Sequence, residues 1–301
     1  MLSWQKNAQV VKSPWQRKMR TLSLILGLLI LLVAFLAIIG WQIYKQNSHN
    51  LIVEKVSSLV PFPAMQVNSH YLTYYDFLKN YQAAAKFFSQ QASQVQYTDN
   101  DLRQFAMDRL LFNYLLRQVA AEYKITVTRE EMDADLEAII KNKGSKNEVV
   151  AFLRDNYDLT LLEYEKYFIL PKLYYNKASE VVNDDETLNG EAKKKIQQAL
   201  SRLRNNEKFE DLVAEYNGSF SQKQFYRGDL PQAIEDDLYI YEPGEYSDVI
   251  GLADSYQILR LDSKDLDKGI LTISAIVVPT KNIDQLVSEK KAISQIKYFV
   301  Q

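Results

Sequence analysis

The sequence predicts an α+β chain carried on one N-terminal transmembrane helix, with a purely helical region ahead of a smaller mixed one. Three observations point there. Residues 21–44, TLSLILGLLILLVAFLAIIGWQIY, form a run without a single charge. Residues 61–182 show apolar positions at spacings of three and four, punctuated by helix caps. After Asn183, Asp184 and Asp185 the pattern shifts toward short helices, turns and alternating strands.

The apolar run fixes the frame for everything else. As a helix rising about 1.5 Å per residue it spans roughly 36 Å, enough for a hydrocarbon core of about 30 Å. Residues 1–20 carry Lys6, Lys12, Arg17, Lys18 and Arg20 and no acid, which predicts a cytoplasmic basic tail and an extracytoplasmic location for residues 45–301. Trp15 precedes the run, and Trp41 and Tyr44 close it, as interfacial anchors do. The competing reading is a cleaved signal peptide. The run exceeds the usual apolar region of about 7–15 residues, and Gly40-Trp41-Gln42 is a poor cleavage site, so a retained anchor is expected.

Composition excludes several functions. Setting aside the five N-terminal cations leaves 31 basic against 38 acidic residues, a formal charge of −7 beyond residue 20. That balance argues against nucleic-acid binding, which needs a basic face. With no cysteine there is no disulfide, no thiol nucleophile and no cysteine-ligated metal. His49 and His70 are the only histidines, and nothing in their spacing suggests a shared metal. No cofactor and no metal site are expected.

In chain order, residues 45–60 read as a mixed polar stalk and Pro61-Phe62-Pro63 as a boundary. Residues 64–68 read as extended. Thr73 with Asp76 reads as the cap of a helix through Tyr81 and Phe88. Leu102, Phe105, Ala106, Leu110 and Tyr114 share a face of the next helix. Thr128 with Glu131, and Thr160 with Glu163, are capping boxes, Gly144 is a stop, and Pro171 predicts a kink. Helices over 191–204 and 209–216 follow, then turns at Asn217-Gly218 and at residues 242–245, and strands at 255–261 and 271–278. Residues 262–269 lack the carboxylate spacing of a calcium loop and read as a solvated turn.

The first ectodomain helix gathers Tyr71, Tyr74, Tyr75, Phe77, Tyr81, Phe87 and Phe88. These rings either pack a core or line a groove for unfolded, aromatic-rich segments. Spacing does not separate the two, because they occupy more than one helix face.

Residues 63–77, PAMQVNSHYLTYYDF, and 124–131, KITVTREE, resemble the opening segments of the SurA/PpiD/PrsA family of bacterial extracytoplasmic foldases. Residues 208–216, KFEDLVAEY, the segment RGDL at 227–230, GEYSDV at 244–249 and SYQILRL at 255–261 resemble that family's parvulin prolyl-isomerase domain. The resemblance implies a basic tail (1–20), transmembrane helix (21–44), stalk (45–60), SurA-like helical chaperone domain (61–185), degenerate parvulin-like domain (186–278) and C-terminal tail or helix (279–301). No strand precedes residue 191 where parvulins begin with one. Residues 273–278, ISAIVV, resemble it instead, so a circularly permuted domain is expected, with 271–278 inserted as the central strand. Pairing of 271–278 with neither 247–252 nor 256–261 would exclude this.

In that alignment the family's two histidines become Ala275 and Gln257, its third polar position becomes Asn217, and its pocket phenylalanine becomes Tyr239. The resemblance thus implies a membrane-anchored chaperone with little or no isomerase activity. Its clients would be unfolded or newly translocated proteins, with the secretion translocon as a further partner. Tyr74, Tyr81, Phe88 and Tyr239 are the candidate client contacts. The alternatives are an active peptidyl-prolyl cis-trans isomerase and a structural subunit of an envelope complex.

Overall fold

The structure is a computed structural model that describes residues 14–90, 97–216 and 219–300. Residues 1–13 of the basic tail and the Asn217-Gly218 turn lie outside the described residues. The chain divides into two compact units: Met1–Leu110 with Gln295–Gln301, and Leu111–Ser294. That division falls elsewhere than the boundary expected at residue 185.

The first unit begins with α1 (Pro14–Gln46). Its Leu22–Gln46 portion is long and apolar enough to cross a membrane, and residues 22–35 of it are exposed. Residues 45–60, expected as a stalk, are instead the end of α1, a short connection and α2 (Leu51–Leu59). Asn50 caps α2 by accepting from the Ile52 and Val53 amides, both at 3.0 Å, and Val53 is fully buried. β1 (Pro63–Val67) and β2 (His70–Thr73) form an antiparallel hairpin, with Asn68 at φ 54° in its two-residue turn. α3 (Tyr74–Gln90) starts at the expected cap: the Asp76 amide donates to Thr73 Oγ1 at 3.1 Å. α4 (Asp99–Glu122) then leads from the first unit into the second.

In the second unit α5 (Arg129–Lys143) and α7 (Leu161–Tyr164) open on the two capping boxes read from the sequence, flanking α6 (Lys146–Tyr157). Gly144 ends α5 at φ 106°. The kink predicted at Pro171 takes the form of a π-helical turn over Glu165–Ile169, after which α8 (Leu170–Asp184) continues. The Leu170 amide reaches back to the Glu165 carbonyl, widening the helix just before a residue that has no amide hydrogen.

The mixed part comprises α9 (Glu186–Arg204), α10 (Phe209–Glu215), β3 (Phe220–Tyr226), α11 (Gln232–Ile240), β4 (Ile250–Gly251), β5 (Ser255–Asp265), β6 (Ile270–Pro279) and α12 (Ile283–Ile293). The four strands make an antiparallel sheet in the order β3-β6-β5-β4. Residues 271–278 thus stand as a central strand, with Ile258 opposite Ile276 and Leu259 opposite Ala275. Residues 266–269 are the tight turn of the β5–β6 hairpin, closed by the Lys268 amide donating to Asp265 Oδ1 at 3.1 Å. Side chains alternate across β5 and β6. Ile258, Ile276 and Val278 pack with Ile196, Leu200, Leu203, Phe209 and Leu212 of α9 and α10. Leu259, Leu261, Leu271, Ile273 and Ala275 pack on the other face with Leu238 of α11.

The chain ends in the first unit. β7 (Ile296–Tyr298) joins β1 antiparallel, giving a three-stranded sheet β2-β1-β7. Val300 is buried, and the Phe299 amide donates to the Ala64 carbonyl at 2.9 Å. The segment expected as tail or helix over 279–301 is therefore a helix followed by an integral strand.

Candidate functional site

Of the positions that the sequence aligns with a prolyl-isomerase site, Ala275, Gln257 and Tyr239 lie on the α11 side of the four-stranded sheet. Ala275 sits in the middle of β6 with no exposed surface, flanked by Phe220 on β3 and Leu259 on β5. Gln257 lies two residue pairs along, opposite Val277 and Ile250, and its side-chain amide donates to Ser255 Oγ at 3.0 Å. Asn217 lies outside the described residues. Tyr239 projects from α11 onto the same apolar cluster, with the Arg227 guanidinium 5.4 Å from its ring centre. Its hydroxyl is buried and without a hydrogen-bond partner. Apart from Tyr239 and Tyr241, the cluster on this face offers Leu, Ile, Val, Ala and Phe side chains around Ala275. Such a surface can desolvate an apolar segment, but it presents no imidazole to a carbonyl or a prolyl nitrogen.

The opposite face is polar at the same level. Ser274, 1% exposed, donates to Asp262 Oδ2 at 2.5 Å and accepts from the Gln222 amide at 3.0 Å. Asp262 also binds Arg260, which reaches Glu210 at 2.6 Å and lies 4.6 Å over the Phe209 ring. The hydrogen bond from Arg260 holds the Glu210 carboxyl below the ordinary range.

The candidate client residues of α3 divide. Tyr74 has no exposed surface and donates to the Ser48 carbonyl at 2.9 Å; Tyr81, 8% exposed, donates to Asp99 Oδ1. Burial pushes both phenols up to about 12. These two belong to the core and not to a groove. Their hydroxyls are committed to the backbone after α1 and to the start of α4. Arg103 completes that corner, donating to Asp99 Oδ2 at 2.6 Å and to the Asn47 carbonyl at 3.1 Å, with Tyr81 5.2 Å beneath it. Burial raises the Asp99 carboxyl, but the hydrogen bonds from Arg103 and Tyr81 outweigh it and leave the group lowered.

Phe88 is different. It is half-buried and stands in a ring group with Tyr97 at 4.3 Å and Phe105 at 5.8 Å. Tyr97 is 45% and Phe105 43% exposed. The sequence pattern puts Phe105 on one face of α4 with Leu102, Ala106, Leu110 and Tyr114 and says nothing of Tyr97. The signal available was the short sequence separation between Phe88 and Tyr97. A cleft of about 290 Å³ also opens in this unit, lined by Phe77, Arg103, Met107, Tyr298 and Val300 among others. Its C-terminal wall depends on β7, which has no distinctive pattern in the sequence. Among the described residues no group of three or more His, Cys, Asp or Glu side chains could hold a metal ion.

Comparison with known families agrees with this architecture. A SurA-like N-terminal domain matches residues 14–167, and a PPIC-type peptidyl-prolyl isomerase domain matches residues 164–268. The second match ends before β6, so the strand that carries Ala275 follows the matched region in the chain. No curated protein matches the sequence. A helical SurA-like region followed by a PPIC-type domain is the domain pairing of bacterial foldases and chaperones, and the chain belongs to the SurA/PpiD/PrsA family.

Proposed function

We propose that this protein is a membrane-anchored extracytoplasmic chaperone that holds unfolded, newly exported chains without isomerising their prolyl bonds. The burial of Ala275 in an apolar cluster carries this reading. The peptide-bond barrier is about 18–20 kcal/mol, lower at proline, and lowering it further calls for preorganised polar groups at the twisting amide. At Ala275 and Gln257 the alignment puts a methyl group and an amide already bonded to Ser255. The anchor is α1, with the basic tail in the cytoplasm and the rest outside, which raises the concentration of the chaperone where chains emerge. Clients would engage the half-exposed rings Phe88, Tyr97 and Phe105 through weak, multiple apolar contacts.

Two assays on the detergent-solubilised full chain test this. Aggregation of several unrelated unfolded proteins should be suppressed, and Tyr97→Ser with Phe105→Ser should weaken that suppression. Failure to protect any of them at stoichiometric excess removes the chaperone reading and favours a subunit with one dedicated partner. Prolyl isomerisation of a peptide should stay at the uncatalysed rate. A rate enhancement abolished by Tyr239→Ala would instead establish an active isomerase.

A further inference from the structure

The last turns of α1 are part of the folded first unit. Ile39 and Ile43 are 2% and 0% exposed, whereas Leu22 to Val33 are exposed almost throughout. The Tyr44 hydroxyl donates to the Pro63 carbonyl at 3.0 Å, and the Phe62 ring packs over Gly40, where a Cβ would meet it at 3.7 Å. The chain reverses at Asn47, φ 51°, with the Ser48 amide donating to the Gln42 carbonyl at 3.0 Å. α2 therefore starts level with the end of α1 and delivers Phe62 beside Gly40. That is six residues, about 9 Å, back along α1.

A hydrocarbon core of about 30 Å takes about 20 residues of helix, so a span entered at Leu22 ends near Trp41. α2 thus runs back toward that boundary. Its buried stripe is Val53 and Ser57. On a different face, Ile52 and Leu59, seven residues apart, are 60% and 85% exposed, with Lys55 beside them. Trp41, at the same depth as Phe62, is 56% exposed. A lipid interface takes apolar side chains, tryptophan and a snorkelling lysine together.

We propose that α2 is a second membrane contact, with Leu59 inserted beside Trp41 in the lipid interface and Ile52 about 10 Å farther out toward the headgroups. The partner is the bilayer surface itself, and the contact continues the one made by α1. It rests on the reading of α1 as a membrane span. The consequence is a first unit held at a fixed attitude to the membrane, where a flexible stalk would let it swing. α3 then points outward, since its first amide, of Tyr74, donates to the Phe62 carbonyl at 2.6 Å while the Tyr81 ring lies 5.5 Å from His49. Ser89 stands near its far end.

The absence of cysteine makes the test clean. Single variants Leu31→Cys, Leu59→Cys and Ser89→Cys of the full chain carry an environment-sensitive fluorophore. They are reconstituted in vesicles of phosphatidylglycerol and phosphatidylethanolamine with brominated acyl chains. Labels at residues 31 and 59 should be quenched, the latter about twofold or more above the label at 89. Quenching at 31 but not at 59 overturns the second contact and leaves the anchor standing. No quenching at 31 overturns both. A label at 59 that is open in pure lipid and shielded only in native membranes assigns the face to a protein partner and removes the lipid assignment.

Discussion

Ser274 and Ala275 are neighbours on β6 and point to opposite faces of one sheet. Ser274 enters a chain of hydrogen bonds and ion pairs through Asp262 and Arg260 to Glu210. Ala275 enters a cluster of aliphatic and aromatic side chains. The positions that resemble the family's histidines, Gln257 and Ala275, lie on the second face, whereas the linked charges lie on the first. The difference teaches that one strand serves two environments, a matched polar network on one face and an apolar cluster on the other. The polar face has a structural explanation, because each charged group on it is matched. The apolar face also has one, since an unpaired imidazole in place of Ala275 would be costly to bury.

The largest effect should come from breaking the polar face. Asp262→Ala leaves Arg260, 16% exposed, and Ser274 without their shared acceptor. We expect a loss of about 3 kcal/mol in stability, read as a lower urea midpoint. Putting polarity back on the apolar face should cost less. Ala275→His should destabilise by about 1–3 kcal/mol through overpacking and an unpaired ring nitrogen. Combined with Gln257→His it should give no isomerisation above background. Catalysis by that double variant would mean that the face is a dormant site and not packing.

Smaller effects sharpen the same contrast. The folded Glu210 carboxyl is held below its ordinary value of 4.5 by Arg260, so the folded state binds its proton more weakly than the unfolded chain does. The associated stability is present above pH 4.5 and lost as pH falls through the folded value. Acid titration of unfolding should therefore be shallower in Glu210→Gln, and only in that acid window. Across the sheet, Tyr239→Phe removes a buried hydroxyl that has no partner. It should leave the thermal midpoint unchanged or raise it slightly, within about 1 kcal/mol. A clear loss would show that the phenol does more than fill space.

Much of the helical region was legible because its signals are local. Thr128 with Glu131 and Thr160 with Glu163 satisfy amides within their own first turn, so the pattern and the structure coincide. The strand at 271–278 could be read from its composition, and its central place was anticipated only through the family resemblance. α2 was missed because its nine residues mix polar with apolar and bury only two. β7 was missed because three residues, Ile296 to Tyr298, carry no period that can be measured. For the candidate site, the lack of histidine at residues 257 and 275 was plain. Tyr74 and Tyr81 were not, since a tyrosine reads alike in a core and in a groove until its hydroxyl finds a partner.

The sequence by itself determined what depends on neighbours in the chain. That comprises a 24-residue uncharged run able to span a membrane, the capped helices, and a parvulin-like region without imidazoles. The tertiary structure alone decided which rings are buried, that Ser274 and Ala275 face opposite chemistries, and that residues 295–300 close the first unit. Caps and periodicity are fixed by hydrogen bonds and burial within one or two turns. Burial of Tyr74 against Ser48, or pairing of Met65 with Tyr298, depends on partners 26 and 233 residues away. No local pattern records which of many apolar or polar segments will arrive there.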